Sequence, residues 1–288
     1  MPPQQHIMRL GLPKGRMQPA VVRLLEDAGI RLRGTERNYR PQVSLPGFEA
    51  KLLKPQNVVE MLHFGSRELG FAGADWVAEL QADVVEILDT GLDAVRLVAA
   101  APAEILEDGA LPARPLVVAS EYRRLAQSWL NRRRLDATLV HSYGATEVFP
   151  PEDADCIVDN TATGATLRDN GLVVIDELMQ SSTRLYAHPP VLQDSATRRL
   201  VDHIVLLLES VLEARKRVLL DLNVAEHDLE AVLEALPAMK TPTVASLNSS
   251  GYAVRAAIPR AALPEVIAEV RNRGGTDLLV SSPSQIVP

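Results

Sequence analysis

The segment Asp159 to Leu167, with the sequence DNTATGATL, restricts the fold more than any other feature of this chain. It follows the apolar run Cys156–Val158, which predicts a buried strand. A short helical turn is expected between Leu167 and Leu172, ending at Gly171. Small side chains let backbone N–H groups approach an anion, and a helix start adds partial positive charge. A strand, a hydroxyl-rich loop and a helix in this order predict an α/β unit with a phosphate-binding loop.

The side chains of this loop suit a sugar phosphate. Thr161, Thr163 and Thr166 offer hydroxyl groups, and Asp159 at the strand end is placed to hold a sugar diol or a magnesium ion. A polar turn that only caps a helix is the competing interpretation. The complete run with the acid in front favours a ribose-phosphate site.

Composition limits the class of protein. The chain has 288 residues, 47% hydrophobic and 23% charged, which is typical of a soluble globular protein with two or three domains. A net charge of −7 argues against a nucleic-acid partner but permits local basic pockets. The one cysteine, Cys156, indicates a reducing cytosol and a buried, inert thiol. We see no signal peptide, and the apolar run Val201–Leu212 is too short for a bilayer, so we expect a cytoplasmic protein without a membrane partner.

The first two thirds of the chain alternate between strands and helices. Strand Met8–Leu12, turn Pro13–Arg16 and helix Met17–Ala28 form the first α/β unit. Prolines 102, 112 and 115 indicate a crossing into a second lobe. Two α/β lobes with a ligand cleft between them are therefore expected. The further elements predicted here are helices Val58–Phe64 and Tyr122–Leu130 and strands Leu69–Ala72, Val95–Ala101, Leu116–Ser120, Thr138–His141 and Arg184–Ala187.

From Lys216 the pattern changes to that of a small separate module. Its elements follow the order βαββαβ, which is typical of a ferredoxin-like domain, a frequent site of regulation by small ligands. They are strand Val218–Asn223, helix His227–Leu236, strands Thr243–Leu247 and Tyr252–Ile258, helix Leu263–Arg273 and strand Asp277–Val280.

Four motifs in order give the chain a family resemblance. They are LPKGR at Leu12–Arg16, ELGFAGAD at Glu68–Asp75, GATEV at Gly144–Val148 and the loop and turn of Asp159–Leu172. Together they resemble the ATP phosphoribosyltransferase family, over about Arg9 to Ile286. The tail module makes the chain similar to the long form of that family, which carries its own regulatory domain.

The resemblance implies a fold and a domain arrangement. The fold expected is α/β, with a two-lobed periplasmic-binding-protein-like catalytic core and a C-terminal ferredoxin-like (βαββαβ) regulatory domain. Residues 1–100 and 182–215 would form lobe I, 101–181 lobe II with the phosphoribosyl pyrophosphate loop, and 216–288 the regulatory domain.

The resemblance also implies a reaction. ATP and phosphoribosyl pyrophosphate would give phosphoribosyl-ATP and pyrophosphate with magnesium, in the first step of histidine biosynthesis. Adenine N1 carries a free lone pair, so the site needs phosphate anchoring and positioning rather than a strong general base. The absence of a Ser-His-Asp or Cys-His pattern and of a recognisable metal-binding histidine pair agrees with this.

Three residues would carry the chemistry by this resemblance. Asp159 would hold the ribose hydroxyls, and Lys14 and Arg16 could neutralise pyrophosphate or the ATP phosphates. The alternative for the two cations is a solvated basic turn. The 5-phosphate would be held by the backbone of Thr163–Leu167, so the loop residues assigned to substrate are Thr161, Thr163, Gly164, Ala165, Thr166 and Leu167.

Four further residues match the nucleotide side of the family's site. Arg37 and Lys54 have counterparts that face the nucleotide, although surface charge is an equally good interpretation. Asp75 matches an acid that ends a strand, or it caps the following helix. Glu147 follows a second short loop that could face pyrophosphate, or it pairs with a helix dipole.

The tail would bind histidine as a feedback inhibitor. Asp221 and Thr243 match positions that meet the amino acid, and both could instead only terminate strands. Asp277 stands where a small residue is usual, and a second carboxylate there would repel the ligand's own carboxylate. The long form also implies a homo-oligomer, a dimer or a hexamer.

Three departures from the family pattern keep other functions open. Asn160 replaces the usual apolar residue after Asp159, the segment between Val148 and Asp155 is shortened, and residues 119–122 read ASEY. A diverged paralogue would explain them. A non-catalytic, two-lobed protein that binds a phosphorylated ligand is the alternative from a different class.

Overall fold

The structure is a computed structural model that describes residues 6–34, 38–248 and 250–287. The chain divides into two compact units. The first contains the chain up to residue 23 and residues 30–202, and the second contains residues 24–29 and 203 onward.

The first unit is built on one eight-stranded sheet with the order β4-β1-β5-β10-β6-β9-β7-β8. Strands β4, β1 and β5 are parallel to each other, as are β9, β7 and β8. The bounds are β1 Met8–Pro13, β4 Phe48–Leu53, β5 Leu69–Gly73, β6 Val85–Pro102, β7 Leu116–Ser120, β8 Ala137–His141, β9 Cys156–Thr161 and β10 Leu172–Ala187; β2 Leu32–Arg33 and β3 Gln42–Val43 form a separate small pair.

Two long antiparallel strands, β6 and β10, join the two parallel groups and define two lobes. At its carboxyl end β5 pairs Gly73 with Thr183 of β10, while β9 pairs Thr161 with Arg96 of β6. Arg96 itself lies opposite Gln180 of β10. The two groups run in opposite directions, so their carboxyl ends meet near the middle of this strand pair. In α/β sheets these ends are where ligands bind.

Six α-helices precede β11 in the described residues: α1 Gln18–Asp27, α2 Pro55–His63, α3 Ala74–Leu80, α4 Arg123–Arg133, α5 Ala165–Asp169 and α6 Ser195–Lys216. Helix α2 buries Val58, Val59 and Leu62 in the core of the first lobe. In the second lobe, Trp129 of α4 and Tyr122 are fully buried against β6 and β9. Apolar burial of this kind is the main stabilising contribution to each lobe.

The long strands differ most from the sequence expectation. Strand β6 begins at Val85 and β10 at Leu172, whereas the apolar runs predicted starts near Val95 and Arg184. Their additional residues are mostly half-buried or exposed, and acidic residues interrupt the apolar ones, at Glu86 and Asp89 in β6 and at Asp176 and Glu177 in β10. The helical turn expected after Leu167 was also misplaced, because α5 spans Ala165–Asp169 and Leu172 already opens β10.

The second unit contains a four-stranded antiparallel sheet with the order β12-β13-β11-β14. This order and the sequence βαββαβ confirm the ferredoxin-like expectation. Val218, Leu220 and Leu222 alternate inward along β11 and form its core with the two helices. The bounds are β11 Arg217–Val224, α7 Leu229–Glu234, β12 Thr243–Ser246, β13 Tyr252–Pro259, α8 Leu263–Asn272 and β14 Thr276–Ser281. Across the described ranges, every helix is too short or too polar to cross a bilayer.

Candidate functional site

A cavity of about 660 Å³ lies in the first unit where the carboxyl ends of the parallel strands meet. Loops that follow β1, β5, β7, β8 and β9 contribute to its walls, as does the middle of β10. The sequence-predicted residues that line it are Lys14, Arg16, Asp75, Glu147, Asp159, Thr161, Thr163, Gly164, Ala165, Thr166 and Leu167.

The loop between β9 and α5 is held in shape by its own hydroxyl groups. The Gly164 amide donates to Thr161 Oγ1 at 3.0 Å, and the Ala165 amide donates to Thr163 Oγ1 at 3.4 Å. Gly164 has φ +75°, a left-handed conformation that glycine adopts without strain. The next amides, of Thr166 and Leu167, lie in the first turn of α5, where a helix supplies no carbonyl partner. The loop can therefore offer backbone donors to a phosphate.

Asp159 is the ionisable group at the head of this loop. Its Oδ1 accepts a hydrogen bond from the Asn160 amide at 2.7 Å. Burial raises the pKa of Asp159 to about 6; the Asn160 hydrogen bond opposes this rise, and the nearby charges of Glu121 and Glu147 add to it. The carboxylate is ionised at neutral pH but is easier to protonate than an ordinary aspartate.

Lys14 and Arg16 lie on the turn that follows β1. The Lys14 amide donates to Leu53 O at 2.7 Å, which fixes the turn to the neighbouring strand. Lys14 Nζ donates to Tyr39 Oη at 2.8 Å and lies 4.4 Å from the centre of that ring. The hydrogen bond and charge of Lys14 lower the pKa of Tyr39. Lys14 and Arg16 thus bring positive charge to the cavity from the first lobe.

Acidic groups outnumber these two cations in the described wall of the cavity. Asp75, Asp93, Glu121, Glu147 and Asp159 all line it. In the described ranges, no three His, Cys, Asp or Glu side chains are grouped to hold a metal ion. A cation bound here would need oxygen ligands from the substrate as well, which is usual for Mg²⁺.

Asp75 is a buried acid whose two carboxylate oxygens have protein partners. Tyr122 Oη donates to Oδ2 at 2.6 Å, and Ser181 Oγ donates to Oδ1 at 2.9 Å. A Cβ on Gly73 would collide with Oδ1, so a larger residue there would displace the carboxylate from its present position. The Tyr122 ring stacks on Trp76 with centroids 4.6 Å apart. Asp75 thus joins α3, β10 and the start of α4.

Glu147 and Lys54 line different cavities. Glu147 lines the main cavity within a short turn, residues 146–148. Lys54 precedes α2 and lines a second cavity of about 390 Å³ that shares Trp76 and Glu121 with the main one. Arg37 lies outside the described residues.

Several lining residues were missed by sequence reasoning. They are Asp93, Glu121, Thr146, Asn160 and the hydroxyl run Ser181–Thr183. The run of three hydroxyl side chains in β10 was the available signal, since each hydroxyl group can donate to or accept from a polar ligand. Asn160 was noted only as a departure, because its contact with Tyr122 joins residues distant in sequence.

The predicted regulatory residues lie on the sheet of the second unit. Asp221 Oδ1 accepts a hydrogen bond from Arg255 Nε at 2.5 Å. Thr243 lies directly opposite Arg255 on the neighbouring strand. Asp277 Oδ2 accepts from Asn223 Nδ2 at 3.0 Å. Both aspartates therefore already have partners within the sheet.

Comparisons with known proteins agree with these features. The family profile described as ATP phosphoribosyltransferase matches residues 54–210, and the profile described as HisG, C-terminal domain, matches residues 214–283. The ATP phosphoribosyltransferase of Pelotomaculum thermopropionicum is 34% identical over 98% of this chain and 99% of its own length. That of Desulforudis audaxviator is 33% identical over the same shares.

A solved structure supports the fold of most of this chain. It is the ATP phosphoribosyl transferase (HisG:HisZ) complex from Thermotoga maritima, with a TM-score of 0.64 and 23% identity over 72% of this chain and 99% of that chain. The two profiles match parts of both units, and the relatives extend over nearly the whole length. The resemblance inferred from the four motifs is confirmed. The chain belongs to the ATP phosphoribosyltransferase family, enzymes of histidine biosynthesis that transfer a pentosyl group.

Proposed function

We propose that the cavity of the first unit binds phosphoribosyl pyrophosphate and ATP together and transfers the phosphoribosyl group to N1 of adenine. The observation that carries this proposal is that the loop from Asp159 to Leu167 lines the same cavity as Lys14 and Arg16. A loop for the sugar phosphate and cations for the leaving group are what this reaction requires. The family assignment does not favour a non-catalytic binding protein.

The phosphate loop anchors the substrate in this proposal. The amides of Thr166 and Leu167 and the hydroxyl of Thr166 bind the 5-phosphate, while Asp159 accepts hydrogen bonds from the ribose hydroxyls. Adenine N1 supplies its own lone pair, so no residue must remove a proton. Positive charge builds at C1 of the ribose as the bond to pyrophosphate breaks, and the ionised Asp159 stabilises that charge through the sugar.

Lys14 and Arg16 stabilise the departing pyrophosphate. Both lie at the carboxyl end of β1, and the Lys14 amide ties their turn to β4. Arg16 can hold two phosphate oxygens at once with its planar guanidinium, whereas Lys14 acts as a point charge. Lys54, which lines the adjoining cavity, is proposed to contact the ATP triphosphate.

Magnesium suits the acidic side of the cavity. Asp159 would offer hard oxygen donors of the kind that Mg²⁺ prefers. Substrate oxygens would complete the coordination, because no three His, Cys, Asp or Glu side chains of the described ranges are grouped to hold the ion. When bound, the ion neutralises charge on the pyrophosphate. Asp75 is proposed to support the site rather than touch substrate, because its oxygens accept hydrogen bonds from Tyr122 and Ser181.

Regulation by histidine is proposed for the second unit, with Asp221 binding the ligand's ammonium and Thr243 giving a second polar contact. Arg255 would have to release Asp221 first. Asp277 remains a proposed obstacle to the ligand's carboxylate. We also propose that the enzyme works in the cytosol as a homo-oligomer.

Pyrophosphate release tests the proposed reaction. We expect release that depends on ATP, phosphoribosyl pyrophosphate and Mg²⁺ together, with phosphoribosyl-ATP formed in equal amount. The Asp159→Asn variant, of nearly the same size, serves as the matched control with reduced activity. Binding of phosphoribosyl pyrophosphate without any release in the presence of ATP would contradict the enzymatic proposal.

A further inference from the structure

A chain of three polar side chains connects the phosphate loop to the first lobe. Asn160 Nδ2 donates to Tyr122 Oη at 2.8 Å, and Tyr122 Oη donates to Asp75 Oδ2 at 2.6 Å. Tyr122 is fully buried and Asp75 is 5% exposed. Asn160 lies near the carboxyl end of β9, Tyr122 precedes α4 in the second lobe, and Asp75 lies in the first turn of α3 in the first lobe. The three residues therefore span both walls of the cavity.

The direction of these hydrogen bonds is determined by chemistry. An ionised carboxylate can only accept, so the single hydroxyl proton of Tyr122 must go to Asp75. The remaining lone pairs of Tyr122 Oη then need a donor, which the amide group of Asn160 supplies. Burial and the negative charge of Asp75 both raise the pKa of Tyr122, so the hydroxyl keeps its proton. An apolar residue or a carboxylate at position 160 could not complete this chain.

Asn160 also holds the reactive end of the loop by its backbone. Its amide donates to Asp159 Oδ1, while its side chain is fixed by Tyr122. One residue thus orients the carboxylate that faces the ribose and ties it to the first lobe. A loose Asn160 would leave the Asp159 carboxylate with a wider range of orientations, which weakens substrate binding by lost preorganisation.

We propose that Asn160 is a positioning residue for phosphoribosyl pyrophosphate, acting through the chain Asn160–Tyr122–Asp75. The inference rests on the proposed function of the same cavity, and it adds a residue pair that sets substrate affinity without touching substrate. Tyr122 fixes the side chain of Asn160, and Ser181, which donates to the other oxygen of Asp75, fixes the far end. The stack of Tyr122 on Trp76 keeps the ring in place when its hydroxyl is removed.

A double-mutant cycle tests this proposal in the full chain. The variants are Tyr122→Phe, Asn160→Ala and the two combined. Each single variant should raise the Kd and the KM for phosphoribosyl pyrophosphate about two- to tenfold, as expected for one hydrogen bond. The KM for ATP and the kcat should stay close to wild type. The double variant should be no worse than the poorer single variant, because both changes break the same connection.

Two controls separate positioning from a general loss of structure. Tyr186→Phe alters another buried tyrosine, and Asn131→Ala alters an exposed asparagine of α4, so both should bind substrate as wild type does. Asn160→Asp keeps the size of the side chain but removes the donor and adds charge near Asp159. It should weaken binding more than Asn160→Ala. Melting temperatures identify any variant that is simply destabilised.

The outcomes distinguish this proposal from the proposed function. Binding is measured by calorimetry with phosphoribosyl pyrophosphate and Mg²⁺, independently of turnover. If wild type binds but shows no turnover, the proposed reaction fails while the positioning role is still decided by Kd. Unchanged Kd in both folded single variants, or additive losses in the double variant, would overturn the positioning role. Absence of binding in wild type would overturn both.

Discussion

The phosphate loop of the first unit and the sheet of the second unit both carry aspartates that the sequence assigned to ligands, yet their surroundings differ. Asp159 accepts from its neighbouring amide, lines a cavity and has a raised pKa of about 6. Asp221 is paired with Arg255, and Asp277 accepts from Asn223. An acid whose charge is poorly compensated in a cavity is ready to bind a ligand, whereas a paired acid must first lose its partner.

The difference teaches that a motif predicts a site best when it specifies backbone geometry. The run Asp159–Leu167 determines a strand end, a left-handed glycine and a helix start, all of which the structure contains. Asp221, Thr243 and Asp277 were assigned by single matching positions. Their chemistry depends on neighbours such as Arg255, which lies far along the chain.

Removing the Asp159 carboxylate should give the largest effect. We expect Asp159→Ala to lower kcat/KM for phosphoribosyl pyrophosphate about ten- to a hundredfold, since a hydrogen bond to a charged group contributes roughly 1.5–3 kcal/mol. Stability should change little or increase, because burial disfavours this charge. Steady-state kinetics and thermal melts check this, and near-wild-type kinetics would remove the loop from the site.

Replacing Arg16 in the first lobe should give the second-largest loss of activity. We expect Arg16→Ala to lower kcat/KM about tenfold or more, with only partial recovery in Arg16→Lys, because a planar guanidinium grips phosphate in two places. Kinetics on the two variants decide between geometry and charge. Full activity in the lysine variant would mean that only local charge matters.

Lowering the pH should weaken substrate binding because the pKa of Asp159 is raised. Below pH 6 the KM for phosphoribosyl pyrophosphate should rise, by about tenfold at pH 5, because the protonated carboxyl no longer binds the ribose as an anion. The substrate phosphate also titrates near pH 6. In the Asp159→Asn variant, only the titration of the substrate phosphate should change the KM with pH. If the KM of the variant rises as steeply below pH 6 as that of wild type, the assignment to Asp159 is contradicted.

The raised pKa of Asp159 should also make the free energy of unfolding depend on pH. Its pKa is 3.8 in the reference state and about 6 in the folded chain, so between these values the folded state binds more protons. Its contribution to stability therefore decreases as the pH rises through this window and is most unfavourable above pH 6. Urea unfolding at pH 4 and pH 7 should show this trend reduced in Asp159→Asn. An identical trend in both proteins would assign it to other groups.

The smallest effect is expected in the second unit. If histidine needs Asp221, Arg255→Ala should tighten histidine binding a few-fold by freeing the carboxylate. An exposed ion pair contributes only about 0–1 kcal/mol, so unfolding should be nearly unchanged. Calorimetry with histidine checks this. Weaker binding in the variant would mean that Arg255 itself contacts the ligand.

The sequence predicted the short buried strands well and the two long strands only in part. Strand β7 was predicted with its observed bounds, Leu116–Ser120, because a continuous apolar run is buried on both faces. The ferredoxin-like order was also predicted, since its alternating strands and helices are short and regular. The first half of β6 was missed because charged residues interrupt its apolar ones, and the apolar run Leu172–Ile175 that opens β10 was not assigned to a strand.

Side-chain partners were the least predictable part. Asp75 was expected to meet substrate or cap a helix, but its oxygens accept from Tyr122 and Ser181. No local pattern pairs residues so far apart in sequence. Asn160 next to Asp159 was visible as a departure, and only the fold brings Tyr122 within reach of it.

Calorimetric titration of phosphoribosyl pyrophosphate with Mg²⁺ into wild type, Asp159→Ala and Asp221→Ala tests the central claim most directly. The two variants make the same change in the two regions. We expect Asp159→Ala to bind about ten- to a hundredfold more weakly and Asp221→Ala to bind as wild type does. Equal affinity in wild type and Asp159→Ala, with both proteins folded, would contradict the assignment of the loop to the substrate.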